Sequence, residues 1–242
     1  MRYRLITAGL LSVALVAALP TAHAVNGSRD ANFVKQVGTF SYLITPDYTG
    51  VGPIAEVMSP TALGLGTFDR LDGELMILGG IAYRVGIDGK PQRVSTERTT
   101  PFAQAVPFVA DASGPVAPGT TCAQLGRAVD DLAKTDSGVV AVRVRGTFTD
   151  LVTRSVPAQD APYRSLSEVV AAQTVFPLGT QRAVLMGFRT APELAGTGSP
   201  GLHLHGLTAD RTAGGHVLSC VAGADVHLSV HRAAGVEVLA AK

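Results

Sequence analysis

Apolar positions along this chain fall in short runs or alternations, separated by Gly, Pro and Asp. In VGTFSYLITPDYTGVGP (37–53) and ALGLGTFDRLDGELMILGGIAYRVGIDGK (62–90), turn signals stand at Pro46-Asp47, Asp72-Gly73 and Asp88-Gly89, which predicts short strands joined by tight turns. ASGPVAPGT (112–120) breaks the pattern, and the following TCAQLGRAVDDLAK places Leu125, Val129 and Leu132 at i, i+4 and i+7, the spacing of an amphipathic helix. VVAVRVRGTFTDLVTRSV (139–156) reads as two strands with a turn near Gly146 to Asp150. Ser165 and Glu168 form a capping box that opens a second helix. AVLMGF (183–188) reads as a buried strand, followed by a loop and then by GLHLHGLTADRTAGGHV (201–217). Strands and helices intermingle without a regular βαβ alternation, which predicts an α+β fold of largely antiparallel or mixed sheets with few helices.

The first residues add a different signal. Arg2 and Arg4 precede an apolar run from Leu5 to Leu19, then Pro20 and Ala22-His23-Ala24, the pattern of a secretory signal (1–24) cleaved after Ala24. The run is short for a membrane span, so the expectation is export to periplasm, wall or medium with no stable membrane insertion after cleavage. The absence of a cysteine near the cleavage point argues against a lipid-anchored product. Removing Arg2 and Arg4 from 20 Lys+Arg leaves 18 against 19 Asp+Glu, and a near-neutral domain (25–242) offers nothing to nucleic acid. Cys122 and Cys220 are the two cysteines. In an oxidising compartment they are either a disulfide or two separate buried thiols.

Candidate chemistry concentrates in 201–217. In an extended strand His203 and His205 share one face. TADRTAGG can return the chain antiparallel, and a hairpin centred near Asp210 and Arg211 sets His205 opposite His216. Three neutral imidazoles with an open position describe a catalytic zinc site better than a closed structural one. Nickel, iron, manganese or copper suit the same ligands, so zinc is the default for one divalent ion. The competing reading is a polar His-x-His pair on an exposed strand. Gly214-Gly215 fits a bulge or a close backbone approach beside His216. His227 and His231 alternate with Val226, Leu228 and Val230 and read as the solvated face of a strand, while Cys220 is a less favoured fourth ligand. Glu74 and Arg154 sit at strand ends in apolar surroundings. Each is either a surface charge or a working acid and a carboxylate clamp beside the metal.

GLGTFDRLDGE, TPFA (100–103), TRSVPAQDAPY and GLHLHGLTADRTAGGHV, in that order, resemble the ordered motifs of the acetolactate decarboxylases, over about 38–231. The resemblance implies an α+β architecture of two sheet-containing halves, here with a break near 112–120 and the metal site on a hairpin of the C-terminal half. It implies decarboxylation of 2-acetolactate, a small 2-hydroxy-3-keto acid, to acetoin through an enediolate stabilised by zinc. By the same resemblance His203, His205 and His216 hold the metal, Arg154 and Glu74 are catalytic, and Thr67 lines the substrate pocket. The family generally carries a further functional glutamate in a C-terminal tail. Glu237 lies too close to the preceding strand to match it, and that role is not carried over. Two alternatives stand beside the decarboxylase: a lyase for a related 2-hydroxy-3-keto acid, and an exported non-catalytic metal- or ligand-binding protein. Whether the chain forms a homodimer stays open.

Overall fold

The computed structural model describes residues 32–240, so the signal-like segment and its expected cleavage after Ala24 lie outside the described residues. Strands are numbered here in chain order. One sheet has seven strands in the order β15 (Gly235–Ala240), β1 (Phe33–Val37), β8 (Ala103–Pro107), β3 (Ala62–Thr67), β4 (Glu74–Leu78), β5 (Ile81–Val85) and β6 (Pro91–Arg93). The other has six, in the order β11 (Thr174–Thr190), β12 (Gly201–Thr208), β13 (Gly214–Ala222), β10 (Val139–Ser155), β14 (His227–Arg232) and β9 (Ala112–Pro115). A further β10–β11 pairing closes four of these strands on themselves. β2 (Gly52–Pro53) and β7 (Thr99–Thr100) form a separate ribbon. Every pairing between these strands is antiparallel except β1 with β15. The fold is therefore α+β, rich in sheet and poor in helix. Among the described residues no helix is long and apolar enough to cross a membrane.

Period-two alternation builds the core. Leu63, Leu65 and Met76 of the first sheet meet Met186, Phe188 and Leu207 of the second. On the other face of the second sheet, Val140, Val142 and Val144 pack under Leu125 and Val129 of helix α2 (Cys122–Ala133), the helix that the apolar spacing predicts. Its buried stripe ends in Ala133, with Leu132 only partly covered. Cys122 at the start of α2 is disulfide-bonded to Cys220 of β13, with Cα atoms 5.1 Å apart. The bridge removes Cys220 from the list of metal ligands.

Three expectations need correction. Residues 139–156 do not contain a hairpin turn, because β10 runs unbroken from Val139 to Ser155. The turn-like residues instead make a bulge: Asp150 takes a left-handed φ of 51° and the pairing with β11 shifts between Phe148 and Leu151. Residues 37–53 are not all strand, because Thr39 accepts from the Tyr42 N–H at 3.1 Å and caps a short helix, α1 (Phe40–Ile44). His231 is not solvated. It is 7 % exposed, and its Nδ1–H donates to the Val109 carbonyl at 2.8 Å. The 112–120 segment holds strand β9, which pairs with β14 and covers that face. The second capping box does form, with Ser165 and Glu168 opening α3 (Leu166–Ala171).

Candidate functional site

All six residues singled out in the sequence line one cavity of about 170 Å³ between the two sheets. β12 contributes His203 and His205 on the face that carries Leu207 into the inter-sheet core. The β12–β13 hairpin has the expected register, with His205 opposite His216. Its turn is held by Asp210, which accepts from the hydroxyls of Thr208 at 2.7 Å and Thr212 at 2.9 Å. Those hydroxyls hold the Asp210 carboxyl below its usual range. Gly215, at φ 134°, lets β13 approach β10: a Cβ there would lie 2.5 Å from the Arg154 carbonyl oxygen. The approach is a close backbone contact with no bulge in the β12–β13 pairing, and it sets Arg154 opposite His216.

The bulge in β10 decides which way Arg154 faces. Phe148 and Leu151 both pack into the core under α2, although residues three apart in a regular strand point to opposite sides. The extra residue shifts the alternation, and Arg154, three positions beyond Leu151, then faces the cavity. From the other sheet, β3 and β4 pair Thr67 with Glu74. Glu74 shares the face of Met76 and turns toward the histidines. The Thr67 hydroxyl donates to the Gly73 carbonyl at 2.8 Å, so toward the cavity it offers only acceptor capacity.

The possible ligand atoms of the three histidines all lie within 4.8 Å of one another, so the triad can hold a metal ion. The His205 Nδ1–H donates to the Leu75 carbonyl across the sheets at 2.8 Å. A carbonyl can only accept, which leaves the Nε2 lone pair facing inward. That lone pair meets Glu74 Oε2 at 3.4 Å, an acceptor opposite an acceptor unless a proton or a cation lies between. His203 Nε2 and His216 Nδ1 are 3.1 Å apart, and His203 Nδ1 is buried without a hydrogen-bond partner among the described residues. Burial, with the Arg154 guanidinium adding to it, pushes the pKa of His203 down to about 4. His205 and His216 are pushed well below the ordinary value by burial first and by their neighbours second. Neutral, converging imidazoles with unsatisfied nitrogens fit a divalent metal.

Arg154 and Glu74 form a buried ion pair through NH1 and Oε1, and Arg154 Nε has no partner among the described residues. Burial raises the Glu74 carboxyl while the guanidinium opposes the rise. Opposite this polar side stands an apolar wall that includes Leu43, Leu71, Val156, Leu166 and Val170, together with Phe102. The wall has no signature in the sequence, because its members come from separate loops and two helices of five and six residues, too short for a periodic signal. Glu237 is exposed in the edge strand β15, opposite Lys35, and does not line the cavity.

A family model described as alpha-acetolactate decarboxylase matches residues 34–241. The chain is 38 % identical over 188 residues to the alpha-acetolactate decarboxylase of Methanosarcina mazei, covering 78 % of this chain and 65 % of that protein. It is 33 % identical to that of Klebsiella aerogenes, over 76 % of this chain and 71 % of the relative. Among solved structures, the alpha-acetolactate decarboxylase of Bacillus subtilis strain 168 superposes with a TM-score of 0.79 at 28 % identity, over 85 % of this chain and 87 % of that one. A Staphylococcus aureus protein described as similar to alpha-acetolactate decarboxylase gives 0.81 at 26 % identity, over 86 % and 88 %.

Proposed function

The chain belongs to the alpha-acetolactate decarboxylase family, and from that premise we propose that it is a carboxy-lyase converting 2-acetolactate to acetoin and carbon dioxide. The observation that carries the reading is the placement of His203, His205 and His216 in the same cavity as the Arg154–Glu74 pair. The reaction breaks the bond between the carboxylate carbon and the hydroxyl-bearing carbon. Its electron pair passes toward the ketone oxygen as an enediolate, and a proton must reach the carbon that lost the carboxylate. A divalent metal on the three imidazoles, zinc by default, would supply Lewis-acid stabilisation of the charge on the substrate oxygens.

The chain's own residues do the rest. Arg154 engages Glu74 through one guanidinium nitrogen and keeps other N–H groups for the substrate carboxylate. A firm hold would oppose departure of carbon dioxide, so the useful role is orientation. Glu74, with its carboxyl raised by burial, can carry a proton to the face it borders. Leu71, Val156 and Leu166 line the opposite side with apolar surface, against which the uncharged part of the substrate can pack. We also propose export, supported by the amino-terminal pattern and by the Cys122–Cys220 disulfide, which suits an oxidising compartment.

The test is acetoin formation from racemic acetolactate by the purified mature chain, with zinc and with chelator. Acetoin with zinc and none with chelator is expected, and no acetoin under any metal condition overturns the reading. Arg154→Ala should abolish turnover while metal content stays near that of the parent. Loss of metal in that variant would reassign the arginine to the metal site.

A further inference from the structure

The apolar wall has no sheet to hold it. Leu43, Leu71, Val156 and Leu166 belong to four separate segments, and their packing around Tyr48 and Val169 forms a satellite of the main core. A closed circuit of hydrogen bonds surrounds that satellite. The Tyr48 carbonyl accepts from the Arg70 N–H at 2.8 Å, and the Arg70 carbonyl accepts from the Gln159 N–H at 2.7 Å. Arg70 Nε donates to the Gln159 carbonyl at 2.8 Å. Arg164 donates from Nε and NH2 to Gln159 Oε1 at 3.3 and 3.0 Å, and the Tyr48 hydroxyl donates to the Arg164 carbonyl at 2.9 Å. Gln159 Nε2 donates to the Pro157 carbonyl at 2.7 Å, so a side chain only 4 % exposed has every polar atom engaged.

Two features show what the circuit restrains. Arg70 and Leu71 take consecutive left-handed conformations, φ 63° and 57°, which a bulky residue such as leucine adopts only when its surroundings over-determine it. The same turn leads into Glu74, and Gln159 follows closely on the strand end that carries Arg154. The side chain of Gln159 then reaches Arg164, the residue before the cap of α3, which carries Leu166 and Val170 into the cavity. One buried amide thus ties both charged residues' supports to the helix that forms the wall.

We propose that Gln159 is a positioning residue. Through Arg164 it sets the distance of the α3 wall from the Glu74–Arg154 pair, and so the size of the alkyl group admitted on the hydroxyl-bearing carbon of the substrate. The inference rests on the decarboxylase reading and deepens it.

Gln159→Leu removes the Arg164 bond from inside. Arg164→Met removes it from an exposed side chain and leaves the satellite core filled. The readout is kcat/KM for 2-acetolactate and for its homologue with ethyl in place of the methyl on that carbon, with metal content measured alongside. Wild type should prefer the methyl substrate, since a pocket wall discriminates one methylene by about 10-fold or more. In both variants kcat/KM for 2-acetolactate should fall about tenfold, and the methyl-over-ethyl preference should narrow at least roughly threefold, with metal content unchanged. Arg164→Lys, which keeps a cationic donor for Gln159 Oε1, should retain most of the preference. A purely structural role would lower the melting temperature and leave the preference where it was. An unchanged preference in folded Arg164→Met, or a wild type that treats both homologues alike, overturns the proposal. A wild type that forms no acetoin overturns the decarboxylase reading and this proposal with it.

Discussion

β12 with β13, and β14 across β10 in the same sheet, each carry histidines that share a strand face, yet only the first set converges. His203 and His205 share a face of β12, and the hairpin register brings His216 across to them. His227 and His231 share a face of β14 in the same way, but the strands beside them, β10 and β9, place Arg145 and Pro115 opposite His227. His227 stays exposed, while His231 is roofed by the Phe108 ring and bonded to the Val109 carbonyl. Alternation creates a shared face in both places. A metal-binding geometry also needs a partner strand with a ligand in register and a second layer that excludes water, and only the β12–β13 face meets the other sheet at Glu74 and Leu75.

The largest expected difference between the two regions is in metal. His216→Ala should leave metal content near zero after dialysis and abolish acetoin formation, since loss even of a ligand's outer partner costs about 10–100-fold in metal affinity. His231→Ala should retain full metal, and a parallel loss there would show that the two strands are one site. Next is the bridge that fastens β13 to α2. Replacing Cys122 and Cys220 together by serine should cost about 2–5 kcal/mol in denaturant unfolding, because the bond closes a loop with a sequence separation of 98. Metal content should be preserved in the folded variant. Loss of metal would mean that the position of His216 depends on the staple as well as on the hairpin.

How much of this was legible in the residues differs by element. The convergence of the triad was legible because Thr208, Asp210 and Thr212 form a turn whose chemistry fixes the register, and register fixes which side chains oppose. The facing of Arg154 was not. Counting by twos from Val140, Val142 and Val144 puts it under α2, and only the bulge at Asp150 reverses that. The same residues suggested a turn, which is a correct sign of irregularity with the wrong geometry attached. The burial of His231 was illegible for another reason: its cover comes from Phe108 to Asp111, distant in sequence and joined to β14 only by sheet pairing. The apolar wall depends on short helices and left-handed backbone, neither of which leaves a periodic pattern.

A pH titration separates the converging histidines in another way. With the folded His203 near 4 and an unfolded histidine near about 6.5, the unfolded chain binds more protons between those values. The contribution to stability of the metal-free protein is therefore fully present above about 6.5 and is lost progressively as the pH falls toward about 4. His205 and His216, pushed lower still, extend the loss in the same direction. Unfolding free energies measured in chelator should decrease as the pH is lowered through that range, and His203→Asn should flatten the upper part of the slope. An unchanged slope in that variant would place the titration elsewhere.

The smallest effects belong to β14 itself. His231→Phe keeps the ring volume under Phe108 but removes the donor to the Val109 carbonyl. Val109 is 69 % exposed, so its carbonyl can turn to water, and the cost should sit at the low end for a lost buried hydrogen bond, about 1 kcal/mol. His227→Ala, on an exposed position of the same strand, should fall within about 0.5 kcal/mol of the parent. Urea midpoints measured on both variants give the ranking directly. A cost at His227 equal to that at His231 would mean that the roof over β14 is not what distinguishes the two positions, and the contrast with the β12–β13 face would then rest on register alone.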